Sequence, residues 1–194
     1  MKNIIILTFC STLLLFTTTV MGQKKANHQF SAIKTNVVAA SFGNINAAAE
    51  ILITPNFKTI PLTLNLPVSY NPFTGHNNEK LKHIAFQPEL RMWLNPNISD
   101  FFIGLHAHYA YYNVGGVLGS SKRYQGNLYG AGVSGGYKYR LGNRFGLEAS
   151  LGLGYARMDY EEFRCSKCGT KTGENTKNYF GPTKAALSII YAIH

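Results

Sequence analysis

From Phe101 to Ile193 apolar side chains recur at every second position, with polar or very small residues between them. Phe101, Ile103, Leu105, Ala107, Tyr109 and Tyr111 form one such row, and Gly104, His106, His108 and Ala110 fill its gaps. Tyr129, Ala131, Val133, Tyr137 and Tyr139 form a second. Phe145, Leu147, Ala149, Leu151, Leu153 and Tyr155 form a third, and Ala185, Leu187, Ile189, Tyr191 and Ile193 a fourth. Four shorter rows precede them: Ile33, Thr35, Val37, Ala39; Ala47, Ala49, Ile51, Ile53; Leu62, Leu64, Leu66, Val68; and Ile84, Phe86, Leu90, Met92, Leu94. A period of two predicts β-strands with two unlike faces.

The long rows are aliphatic in the middle and aromatic at the ends. Phe101, Tyr137, Tyr139, Phe145 and Tyr191 lie at one edge, and Tyr109, Tyr111, Tyr129 and Tyr155 at the other. Tyrosine has an apolar body and a polar tip, so two such edges around an aliphatic band suit the two water interfaces of a bilayer. The expectation is an all-β chain folded as an antiparallel up-and-down transmembrane β-barrel of about eight strands. Connection lengths agree. Pro55 to Lys58, Asn95 to Asp100 and Leu141 to Arg144 are short turns, as at the periplasmic end of outer-membrane barrels. Gly43 to Ile45 is short too, but Asn71 to Leu81, Asn113 to Gly126 and Tyr160 to Asn178 read as long outer loops.

Composition sharpens this picture. Charged residues make up 14% of the chain, against about 25% in soluble domains. Residues 1–22 read as a secretory signal peptide, with Lys2 ahead of an apolar run from Ile4 to Val20 and small residues near a cut before Gln23. Residues 23–194 are then one outer-membrane barrel domain of a Gram-negative bacterium. Loss of Lys2 lowers the formal charge from +10 to +9. The basic residues are scattered rather than clustered, which argues against nucleic acid and for outer-membrane lipid. The long loops are the surface offered to a glycan or protein partner, and the chain is expected to be a monomer.

The opposite row carries Lys34, Glu50, Glu89, Arg91, Lys138, Glu148 and Lys184, about one charge per strand and mixed in sign. Inside so narrow a barrel these side chains, with His106 and His108, form a packed lumen network rather than a channel. Pro88 is discordant because it cannot donate to the ladder, and a bulge there is expected to accommodate it.

The runs LKHIAFQPELRMWL, FFIGLHAHYAYYNVGG, RYQGNLYGAGVSGGYKY, LEASLGLGYARMDYEEFRCSKCG and KNYFGPTKAALSIIYAI resemble the domain-of-unknown-function family three-five-seven-five, from about Ser31 to the end of the chain. The resemblance implies an exported, OmpA-like small barrel, some relatives of which sit beside surface-fimbria genes. It brings no activity, substrate or cofactor. The chain departs from such barrels at its end, Tyr191-Ala192-Ile193-His194, where a final aromatic is usual.

Candidate chemistry is sparse. Cys165 and Cys168 are the cysteines left after processing, and in an exported protein they read as a small loop disulfide rather than a redox or zinc motif. His106 and His108 lie two apart on one face, with His83 on the same parity. A metal or acid–base cluster with Glu89 or Glu148 is the sharper reading, and lumen histidines hydrogen-bonded to carboxylates the favoured one. No cofactor or catalytic residue is assigned. An outer-membrane lipid hydrolase would need Ser, His and an acid facing lipid, but the histidines, Ser150 and Ser188 point inward. A soluble, exported lipocalin-like barrel with its apolar row inside is the other alternative, and a small-solute pore a third.

Overall fold

The computed structural model describes residues 31–54, 60–74, 80–116, 122–164 and 169–193. Nine strand segments form one antiparallel sheet: β1 (Ser31–Asn36), β2 (Ile45–Leu52), β3 (Leu62–Asn71), β4 (Lys80–Phe86), β5 (Glu89–Trp93), β6 (Asp100–Gly115), β7 (Arg123–Arg140), β8 (Phe145–Phe163) and β9 (Lys171–Ile193). Each pairs with the next segment along the ring, and β1 also pairs with β9 through Ser31↔Ile193 and Ile33↔Tyr191. The sheet therefore closes on itself into a barrel.

β4 and β5 are one stave of an eight-stave wall. Phe86 pairs with Val68 and Tyr109, and Glu89 pairs with Asn65 and His106, so three residues forward match three back on both neighbours. The register is unbroken, which corrects the expected bulge at Pro88. Pro88 keeps the bond it can make, accepting from the Ala107 nitrogen at 3.1 Å, and Gln87 donates to the Pro67 carbonyl at 3.2 Å. Two proline nitrogens cannot return their bonds here. The ladder thins locally without a shift.

The first stave is shorter than its alternation predicts. Asn36 ends β1, and its side-chain oxygen accepts from the Val38 and Ala39 nitrogens at 3.1 and 3.3 Å, starting helix α1 (Val37–Ser41). An asparagine side chain offers the backbone an alternative to the ladder, so Val37 and Ala39 leave the strand. β9 loses its partner on that side beyond Leu187, whose nitrogen donates to the Asn36 side chain at 3.3 Å.

The long staves run past the expected loop boundaries. Gly115 pairs with Arg123, and Glu161 with Glu174, so much of Asn113 to Gly126 and of Tyr160 to Asn178 is ladder rather than loop. These polar segments keep their neighbours' hydrogen bonds, and a ladder does not end where the apolar row ends. One wall, β6 to β9, thus rises above β1 and β2.

Candidate functional site

The two faces are inverted relative to a soluble domain. Leu105, Val133, Leu151 and Phe145 point out and are exposed, Leu151 by 72%, while Glu50, Glu89, Arg91 and Glu148 point in and are at most 2% exposed. The inward alternation brings these charges together across the lumen.

Arg91 is the hub. Its Nε meets Glu89 Oε2 at 2.6 Å, its Nη2 meets Glu148 Oε1 at 3.0 Å, and its Nη1 reaches Glu50 Oε1 at 3.4 Å. Lys34 Nζ bridges Glu50 at 2.5 Å and Glu148 at 2.6 Å, and Lys184 Nζ holds Glu89 at 2.5 Å. Hydroxyls complete the carboxylates: Thr63 donates to Glu50 at 2.6 Å, and Ser134 to Glu89. Buried ions need both opposite charge and hydrogen bonds to offset desolvation, and each carboxylate here has two cations within ion-pair distance. Gly104 makes the room, since a Cβ there would lie 2.6 Å from Ser134 Oγ and 2.8 Å from Glu89 Oε1.

Below the ions, at the end carrying the short turns, the bore is sealed by Leu52, Trp93, Ile98 and Phe102. The Trp93 and Phe102 rings lie 5.0 Å apart, and Trp93 Nε1 donates to Thr63 Oγ1 at 2.9 Å. Arg91 stacks over Phe102 at 4.3 Å, which joins plug to network. Ile98 holds the left-handed conformation, φ 52°, costly for a β-branched residue, and its side chain is buried in the plug. On the other side of the ions lies a cavity of about 230 Å³ reached by Asn65, Ser150 and Lys184. Gln87 Nε2 donates to the Thr183 carbonyl across the bore at 3.2 Å.

Lys34, Glu50, Glu89, Arg91, Glu148 and Lys184 are joined in one network, but the histidines are not part of it. His106 Nε2 pairs with Thr183 Oγ1 at 2.9 Å and His83 with Ser69 at 3.2 Å, so hydroxyls rather than carboxylates face these two, and neither ring nitrogen of His108 has a hydrogen-bond partner among the described residues. For His106 the cause is a bulge on β9, where Gly152 pairs with Lys184 and Leu153 with Pro182, which turns Thr183 inward. Among the described residues no three His, Cys, Asp or Glu side chains converge as a metal set. Cys165 and Cys168 lie outside the described residues, as does the segment 1–22.

The aromatic edges are built as pairs. At one, Phe101 packs on Tyr137 at 4.8 Å and Phe145 on Tyr191 at 5.3 Å, with Tyr139 exposed beside them. At the other, the Tyr109, Tyr129 and Tyr155 hydroxyls donate to Asn127, Asp159 and Asn178, each at 2.8 Å and each on the next strand. Tyr111 Oη accepts from Gln125 at 2.5 Å.

Sequence reasoning missed the plug residues Leu52, Ile98 and Phe102 and the hydroxyls Thr63 and Ser134. Phe102 was legible as an apolar residue on the polar parity of its strand. Ile98 gave no signal, because it sits in a turn.

The fold and its interior define a closed antiparallel barrel with a charged, plugged lumen. The chain belongs to the family described as Protein of unknown function (DUF3575), whose model matches residues 9–193. No curated protein and no solved structure matches it.

Proposed function

We propose that the chain is a small outer-membrane barrel of a Gram-negative cell, exported by a signal peptide over residues 1–22, that acts as a structural and surface-interaction element without catalysis. The observation that carries this reading is the inverted polarity: exposed aliphatic side chains outside, bounded by two aromatic edges, and paired ions inside. Phe145 to Tyr155 is eleven residues of β8, ten steps along the strand; at about 3.4 Å a step and a tilt of about 40°, that is a band of about 26 Å. Outer-membrane barrels carry an apolar band of about 25 Å. The short-turn end then faces the periplasm, and the tall β6–β9 wall faces outward as the contact surface for a glycan or protein.

A lumen filled by the Arg91 network and the Trp93 plug supports a closed barrel over a pore, and inward ions in place of an apolar pocket speak against a lipocalin-like carrier. The lipid hydrolase reading has no support in the geometry: the buried Ser150 and Ser188 share the inward face with the histidines. The test is extraction and migration of the mature chain. Detergent-dependent extraction, slower migration after boiling and negligible conductance in planar bilayers are expected; a chain that stays soluble without detergent overturns the reading.

A further inference from the structure

The outward face of β6 to β9 does not stop at the tyrosine edge. The bonds Tyr109 to Asn127, Tyr129 to Asp159 and Tyr155 to Asn178 climb the wall as a staircase, each from a phenol to an amide or carboxylate one strand on. Above that line the rows turn polar: Tyr111 pairs with Asn127, Asn127 with Asp159 and Asp159 with Thr176. The next row is Asn113, Gln125, Glu161 and Glu174. A groove of about 550 Å³ lies across these rows, open to the outside, within the size range of small-molecule sites.

We propose that this groove holds a neutral sugar from the head of a glycolipid whose chains lie against the apolar band below. The inference rests on the membrane reading above. The chemistry of the groove selects the class of ligand. Asp159, Glu161 and Glu174 outnumber Arg157 and Lys171, the latter bridging Glu161 and Glu174, so a phosphate or other anion meets net negative charge. Sugar hydroxyls both donate and accept, which matches alternating amide, carboxylate, guanidinium and phenol groups. The exposed Tyr111 ring adds an apolar plate for the C–H face of a sugar ring. Height selects the source. The groove begins where the tyrosine hydroxyls end, the level at which a lipid packed on the band presents its head. The residues that line the groove come from β6 to β9, so the site lies on one side of the barrel.

The experiment uses the full chain folded in detergent, titrated with digalactosyl diacylglycerol in mixed micelles, with phosphatidylcholine and soluble lactose as comparisons. Folding of each variant is checked by heat-modifiable migration. The glycolipid is expected to bind more tightly than phosphatidylcholine, and Gln125→Ala with Asn127→Ala to weaken it by about tenfold, while Ile51→Ala, on β2 and away from this wall, does not. Equal binding of the two lipids, or variants that hold the glycolipid as the parent does, overturns the assignment. Lactose binding as tight as the glycolipid overturns the lipid source. If the chain proves soluble without detergent, the membrane reading fails separately, and absence of lactose binding in buffer then removes the sugar site as well.

Discussion

Arg91 on β5 and Glu148 on β8 meet across the lumen, Nη2 to Oε1 at 3.0 Å and Nη1 to Oε2 at 3.1 Å. This two-point contact ties together two staves that share no ladder. Arg91→Ala leaves Glu50, Glu89 and Glu148 short of their shared cation in a water-poor bore, and is expected to cost about 3–5 kcal/mol. Urea unfolding followed by migration checks it. Arg91→Met with Glu148→Gln removes charge from both sides and should cost less than the single change.

Trp93 closes the turn end. Trp93→Ala removes the largest fully buried side chain, its bond to Thr63 and its contact with Phe102, and is expected to cost about 3–5 kcal/mol. Conductance should rise with it if the plug is what blocks the bore; an unchanged conductance assigns the block to the Arg91 network alone.

Pro88 sits in unbroken register, so a residue with an N–H can complete the pair with Ala107. Pro88→Ala is therefore expected to be neutral or to stabilise by about 0.5–1.5 kcal/mol, read as a higher urea midpoint. A loss of stability would mean that the proline is needed for a local distortion.

Leu151 separates the membrane and soluble readings. Replacing this exposed, mid-band residue with arginine costs about 2–4 kcal/mol in a bilayer and almost nothing on a wet surface. Equilibrium unfolding from phosphatidylcholine vesicles measures the difference.

Asp159 gives the outer rim a pH dependence. The Thr176 hydroxyl and then the Tyr129 hydroxyl, with Arg157, hold its carboxyl below the usual aspartate range. Because the folded value is the lower one, its contribution is complete above the unfolded value near pH 4 and is lost as pH falls through the folded value. Thr176→Val should raise the Asp159 titration midpoint, observed by carboxyl NMR.

Much of this barrel was written in local alternation. Odd positions from Phe101 to Tyr111 and from Phe145 to Tyr155 are apolar, and a strand has only two faces, so outward and inward sets followed without knowledge of neighbours. The aromatic edges were legible for the same reason. Asn36 and Thr183 show where that reading stopped: a side chain that caps α1 and a bulge that reverses parity both depend on hydrogen bonds that period two does not encode.

The sequence by itself determined which residues share a face of each regular strand, because side-chain alternation along a strand is a property of that strand alone. Only the tertiary structure decided which of them meet. Lys34 and Glu148 are 114 positions apart, and their contact depends on ring closure between β1 and β9 and on the stagger of every stave between. The bulge between Gly152 and Leu153 set Thr183 beside His106. Pairing of distant strands is a collective choice of register, and no single stretch of chain carries it.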